Sequence, residues 1–272
     1  KIKTIYDLTA PYWLLKKKIL EEEAQLQPEW NLSSTEILTE KKCINKDEEI
    51  FLSDQIIVAS SFTARSLELL DKNLKSKINI VPYGINNQKN ININKRNKND
   101  KLKLIFVGRP VLSKGIQYLI KILEGLDFPW QLEVAGYVPE KPEEISESMH
   151  LLFKDQRCNY LGQISNTKII DRMKQNHIFI FPSLFEGFGQ VLLEALSCSL
   201  PIITTVNTGG FDIIENGKDG FLTPIRDVEK SIKILNKLYN DEEYRLSVSE
   251  NAFLKANSFS WSKYQNEISK II

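Results

Sequence analysis

The chain alternates short apolar or β-branched runs with longer stretches in which apolar residues recur every three or four positions. The runs Ile56–Ala59, Ile78–Val81, Leu104–Val107, Leu132–Ala135, Ile178–Phe181, Ile202–Thr205 and Gly220–Thr223 read as strands. Ile178–Phe181 is apolar at every position, as a strand buried on both faces requires, and this favours a parallel sheet. Between the strands, Ile116, Leu119, Ile120 and Leu123 form one helical stripe, and Val228, Ile232, Leu235 and Tyr239 form another. Pro11 to Trp30 and Ser34 to Leu52 read as two helices near the start. The charged face of the first, with Lys16–Lys18 and Glu21–Glu23, is expected to be solvated. Strands that alternate with helices imply right-handed crossovers and an α/β architecture.

One stretch breaks the rhythm. Asn86 to Lys101 is rich in Asn and Lys and has no period, so it reads as a linker with solvated lysines. The part before it is too short for a complete doubly wound domain, and sequence upstream of Lys1 is therefore expected. At 272 residues the chain has room for one large or two medium domains, and 42% apolar residues supply a core. Lys and Arg number 36 against 35 Asp and Glu, so no overall field attracts nucleic acid. Cys43, Cys158 and Cys198 are scattered, and the two histidines, His150 and His177, form no cluster with them. A zinc site and a disulfide framework are not expected, and a cytoplasmic compartment is. No apolar run reaches the roughly 20 residues of a membrane span, and Lys1–Ile5 does not open a signal peptide.

Two glycine-containing loops carry the candidate chemistry, each directly after an expected strand. In the first, Gly108 to Gly115, Arg109 and Lys114 stand five residues apart where a strand gives way to a helix. Such a loop lies at the carboxyl edge of the sheet, and the two cations are able to converge on a diphosphate. Alone, they are equally well surface charges flanking a turn. In the second, Phe181 to Glu194, Gly187 and Gly189 allow close backbone approach to a ligand, and a helix beginning near Gly189 presents the N–H groups of Gly189, Gln190 and Val191. Glu186 lies on the loop and Glu194 about a turn into the helix. Acids around a donor-rich turn suit a ligand that carries hydroxyls and phosphate. Paired carboxylates also serve glycoside hydrolysis, but that chemistry leaves the phosphate-binding features unexplained.

Together these residues resemble a known family. Val107–Gly115 resembles the G-R-x(n)-K-G element of the retaining glycosyltransferases called group 1 or family 4, and Glu186–Glu194, preceded by Pro182–Ser183, resembles their E-x7-E motif. Thr208–Gly209–Gly210 is similar to the family's glycine pair, with Phe211 and Asp212 where Pro-Glu often follows. Asn216–Leu222 resembles its N-G-x-x-G-f-l segment, and Val81–Ile85 its v-P-n-G-v hinge, with Tyr83 where Asn is usual. Ser60–Ser61 and the tail Phe259–Ser260–Trp261 also fit, so the resemblance covers residues 50–272.

The resemblance implies a GT-B fold: two Rossmann-like, doubly wound parallel-sheet domains, the first incomplete here. Residues 1–85 would belong to the acceptor-side domain, 86–100 to a linker and 101–258 to the donor-binding domain, with 259–272 a helix crossing back. It implies transfer of a sugar from a nucleoside-diphosphate-sugar to an acceptor hydroxyl, with retention and without metal or bound cofactor. This matches the lack of a D-x-D pair beside a strand. Arg109, Lys114 and Glu186 would be catalytic, the cations on the diphosphate and Glu186 on the donor sugar. Glu194 would hold the ribose, and Gly108 and the Gly187, Phe188, Gly189, Gln190 and Val191 backbone would complete the donor cradle. Backbone near Leu161–Ile164 would meet the base. The acceptor would be a glycan, a lipid-linked or a small molecule, with peripheral membrane contact open. A truncated or inactive copy that binds nucleotide without transferring sugar is the alternative. His177 is expected to be a satisfied edge residue, and Cys158 and Cys198 small core residues.

Overall fold

In the computed structural model, described for residues 2–30, 39–86, 88, 90–98, 100–137 and 147–272, all strands run parallel within two sheets. The first sheet holds β1 (Ile5–Leu8), β2 (Gln55–Val58) and β3 (Ile78–Ile80), in that order. α1 (Trp13–Leu26) and α2 (Glu40–Leu52) connect β1 to β2, and α3 (Ser61–Ser66) follows β2. The second sheet holds β4 (Leu102–Val107), β5 (Trp130–Ala135), β6 (Cys158–Gly162), β7 (Ile178–Phe181), β8 (Ile202–Thr205) and β9 (Gly220–Thr223). Its helices are α4 (Ile116–Glu124), α5 (Glu147–Lys154), α6 (Asn166–Met173), α7 (Gln190–Ser197), α8 (Gly210–Ile213) and α9 (Val228–Asn240), followed by α10 (Glu242–Ala256) and α11 (Trp261–Ile271).

The order β6-β5-β4-β7-β8-β9 decides where a ligand can sit. From β4 the chain winds outward to β6, then returns to place β7 on the other side of β4. Loops after β4 and β7 therefore diverge from a topological switch point, where open α/β sheets form a crevice. All four residues of β7 and of β8 are buried. Phe106, Phe179 and Phe181 are among the largest fully buried side chains, and the rings of Phe106 and Phe181 stand 5.7 Å apart. The stripe Ile116, Leu119, Ile120 and Leu123 packs α4 into the same core.

Several expectations need correction. α1 stops at Leu26 rather than Trp30, because Gln27 precedes Pro28 and leaves the helical region. Its charged face is not uniformly solvated. Lys17 and Glu21 pair at the surface, but Glu23 is fully buried and accepts from Gln117 Nε2 and Arg226 Nε, each at 2.8 Å. The start of the second expected helix, 34–38, lies outside the described residues. In the Asn- and Lys-rich run Lys95, Lys98 and Lys101 are exposed as expected, but Arg96 is buried, pairs with Glu242 and donates to the carbonyls of Asn97, Lys98, Asp100 and Tyr239. β1 and β6 carried no recognised strand signal. At the chain's end, α11 lies against Tyr83 through Trp261 and Tyr264, and Lys3 Nζ donates to Ile271 O.

His177 is a satisfied edge residue. Its Nδ1 accepts from Lys103 N at 3.0 Å, and its backbone N–H donates to Lys103 O at 2.8 Å. Cys198 is buried and Cys158 half-buried, and both are free thiols.

Candidate active site

The two motif loops are fastened to each other. Gly115 ends the 3-10 turn Leu112–Lys114 with φ +70°, and a Cβ there would stand 1.9 Å from Pro182 O, so the first loop lies directly on the second. Ser183 Oγ and Leu184 N both donate to Ser113 O, at 2.9 and 2.8 Å. This fastening sets Lys114 Nζ against Glu186 Oε1 in an ion pair between residues 72 positions apart. From the other side, Glu186 N donates to Asn207 O at 2.9 Å and Gly209 N to Phe188 O at 2.8 Å. The Thr208–Gly209–Gly210 segment thus acts as scaffold for the second loop.

The first sheet closes the opposite wall. Gly187 O accepts from Ser60 Oγ, at the cap of α3, and from Thr63 Oγ1 at 2.9 Å. A Cβ on Gly187 would lie 1.8 Å from Thr9 O, which leaves room only for glycine. Nearby, Asp212 Oδ2 accepts from Ser61 N at 2.9 Å, tying α8 to α3. Between the walls lies a cleft of about 280 Å³ that Arg109, Lys114, Glu186 and Gly187 line from one side and Thr9, Ala10 and Lys16 from the other. The Arg109 guanidinium is 5.7 Å from the Tyr137 ring, and Lys114 Nζ is 5.9 Å from that of Phe181.

Other expected site residues stand elsewhere. Gly108 lies over the core, its Cβ position 3.5 Å from the Phe181 ring. Gly189 caps α7 at φ +82°, so the first N–H groups of α7, those of Gln190 and Val191, lack intrahelical acceptors. Phe188 is buried edge-on to Tyr83 at 5.3 Å, and Gln190 Nε2 donates to Gly84 O at 2.8 Å, so both side chains serve the junction with the Val81–Ile85 segment. Glu194 accepts from Asn166 Nδ2 at 2.8 Å, at the head of α6, and does not line the 280 Å³ cleft. Asn216–Leu222 builds a turn: Asn216 Oδ1 accepts from Leu222 N, and Tyr244 Oη donates to Gly217 O. Sequence reasoning missed Thr9, Ala10 and Lys16 as cleft residues. The available signal was the carboxyl end of β1, which had not been read as a strand.

Among the described residues, no three His, Cys, Asp or Glu side chains gather as a metal site. Among them too, no helix is long and apolar enough to cross a membrane.

Residues 87–255 match the family model of glycosyl transferases group 1. The chain belongs to that family. It is 30% identical over 219 residues to an uncharacterized glycosyltransferase of Methanocaldococcus jannaschii, covering 80% of this chain and 59% of that protein. Among solved structures it resembles sucrose-phosphate synthase of Thermosynechococcus elongatus, with a TM-score of 0.75 at 17% identity over 98% of this chain and 72% of that one. It also resembles Anabaena HepE, crystallised with UDP and glucose, with a TM-score of 0.74 at 16% identity over 98% and 70% of the two chains. At these identities the likeness is one of fold, and the fold is GT-B, with one domain partial. This group 1 glycosyltransferase chain spans about half the length of the curated relatives it matches.

Proposed function

We propose that the chain carries the donor site of a hexosyl-type transferase that moves a sugar from a nucleoside-diphosphate-sugar to an acceptor hydroxyl, with retention and without metal. The observation that carries this reading is the meeting of Arg109, Lys114 and Glu186 in one cleft at the switch point of the second sheet. The UDP in HepE gives it further support. Arg109 and Lys114 neutralise the diphosphate as it departs, supplying the charge that a metal ion supplies elsewhere. Glu186 orients Lys114 while the cleft is empty of donor. An arriving diphosphate draws Lys114 toward itself and frees the carboxylate for hydroxyls of the sugar. Backbone N–H groups at the start of α7 complete the cradle, and Glu194 takes the ribose hydroxyls.

The test separates the two acids. UDP-, GDP- and ADP-sugars are offered in the presence of EDTA, nucleoside diphosphate release is followed, and NMR compares the anomer of donor and product. Glu186→Gln should leave binding of the bare nucleoside diphosphate nearly intact while transfer slows about ten- to a hundredfold. Glu194→Ala should weaken bare nucleotide and sugar donor alike. The opposite pattern reverses the roles, and no effect from either substitution removes both residues from the site.

A further inference from the structure

The segment that leaves the first sheet grips the turn that opens α7. Val81 N donates to Val58 O at 2.8 Å just past the end of β3, and Tyr83 and Gly84 follow at once. Tyr83 is half-buried and lies edge-to-face with Phe188, the ring centroids 5.3 Å apart. Gly84 O accepts from Gln190 Nε2 at 2.8 Å. Phe188 and Gln190 flank Gly189, the left-handed residue at the head of α7, so the turn is held on both sides of its pivot. Phe188 has little room to retreat. It is buried, and a Cβ on Gly209 would lie 2.4 Å from its carbonyl oxygen and 2.6 Å from its ring.

The same segment is pressed against the head of α11. A Cβ on Gly84 would lie 2.2 Å from Trp261 N, and Ile85 N donates to Phe259 O at 3.2 Å. Ile85 also pairs with Ser260 in a parallel bridge, and Ser260 caps α11 by accepting from Lys263 N. The Tyr83 ring stands 6.4 Å from that of Trp261 and 5.7 Å from that of Tyr264. Tyr83 therefore touches two elements far apart in the chain, the loop at 186–189 and α11. Beside it a cavity of about 60 Å³, with Pro82, Phe259 and Tyr264 in its wall, leaves the ring space to shift. An edge-to-face pair is favourable only over a narrow range of geometry, so a movement of Phe188 either carries Tyr83 with it or breaks the contact.

We infer that Tyr83 is a positioning residue for the loop that carries Glu186: acting through Phe188, it holds the turn that opens α7 and passes the state of that turn to α11. The effect of a ligand on α11 rests on the proposed donor site, because a diphosphate held by the first N–H groups of α7 is what orders the turn. The hold on the empty loop does not depend on that reading.

Hydrogen exchange of the full chain, read by mass spectrometry on wild type, Tyr83→Leu and Tyr83→Phe, tests both parts. Without nucleotide, Tyr83→Leu should speed exchange in 186–194 about two- to tenfold, as loss of an aromatic pair requires, while β7 (Ile178–Phe181) keeps the wild-type rate. Tyr83→Phe, which keeps the ring, should behave as wild type. With UDP at saturation, the wild type should slow in 186–194 and also in 261–271, whereas Tyr83→Leu should slow in 186–194 alone. Unchanged exchange of the empty loop in Tyr83→Leu overturns the inference, and so does a loss spread equally over β7, which marks a merely structural residue. If Tyr83→Leu does not fold, the wild type still decides: UDP that protects 186–194 and leaves 261–271 untouched overturns the coupling. Failure of UDP to protect 186–194 in the wild type counts against the donor site instead, and the experiment without nucleotide then judges Tyr83.

Discussion

Removing the Glu23 carboxylate tests how the first sheet's unit is held beside the cleft. Glu23 sits on α1 and is fully buried, while its partners belong to the second sheet's unit: Gln117 on α4, the Tyr118 hydroxyl and Arg226. Arg226 adopts φ +68°, a conformation that costs a non-glycine residue about 1–2 kcal/mol and that the pair with Glu23 helps to hold. In Glu23→Ala, Gln117 and Tyr118 lose an acceptor in the interior, and Arg226 keeps Glu22 at 3.0 Å. Breaking a buried pair from one side costs about 3–5 kcal/mol, and the surviving Glu22 contact sets the expectation toward the lower end, about 3–4 kcal/mol. For a chain of this size that is a fall of roughly 6–16 °C in Tm. Calorimetric unfolding of Glu23→Ala and of Glu22→Ala makes the comparison. Glu22 is more than half exposed, and its removal should cost less than about 1 kcal/mol. Equal, small losses in both variants would refute the reasoning, because Glu23 would then behave as a surface acid.

Two further outcomes follow from the same geometry. Gly187→Ala places a Cβ 1.8 Å from Thr9 O, so the two walls must part by about 1.2 Å to reach the 3.0 Å that such contacts allow; about 1–3 kcal/mol of stability and part of the nucleoside diphosphate affinity should go together, read by thermal melting and titration. His177 is held down to about 4 chiefly by burial and next by Arg245. Below its ordinary value of 6.5 the unfolded chain takes up a proton that the folded chain refuses, so stability from this group is full above pH 6.5 and is lost as pH falls toward 4, by up to about 3 kcal/mol. His177→Asn, which can accept the Lys103 N–H, should flatten that part of the profile, and superimposable wild-type and variant profiles would contradict it.

The second sheet was largely legible because its inner strands are short buried runs of mainly apolar and β-branched residues, such as Ile178–Phe181 and Ile202–Thr205, that sit between turn-forming residues. β6 escaped notice because it lies at the edge, with Asn159 and Tyr160 exposed, and so lacks the continuous apolar run. β1 was hidden by Asp7 and by its exposed residues. α10 buries Arg245, Val248, Ser249, Ala252 and Ala256 on one face, a helical period that small and charged residues conceal. The candidate site divides in the same way. Local spacing was enough to single out Arg109, Lys114 and Glu186, because glycine, charge and strand end recur together. The Lys114–Glu186 pair and the Thr9–Gly187 contact depend on how distant segments pack, and no local pattern encodes them. Arg96 and Glu23 read as surface charges for the same reason: their partners lie far along the chain.

The most direct measurement of the central claim is calorimetric titration of bare nucleoside diphosphates into the wild-type chain, Arg109→Ala and Lys114→Ala. If the cleft at the switch point is the donor site, at least one nucleoside diphosphate binds the wild type, and each substitution weakens it by about 1.5–3 kcal/mol, roughly ten- to 150-fold. Affinity that is the same in all three proteins would contradict the claim and return Arg109 and Lys114 to the surface charges that each, taken alone, resembles.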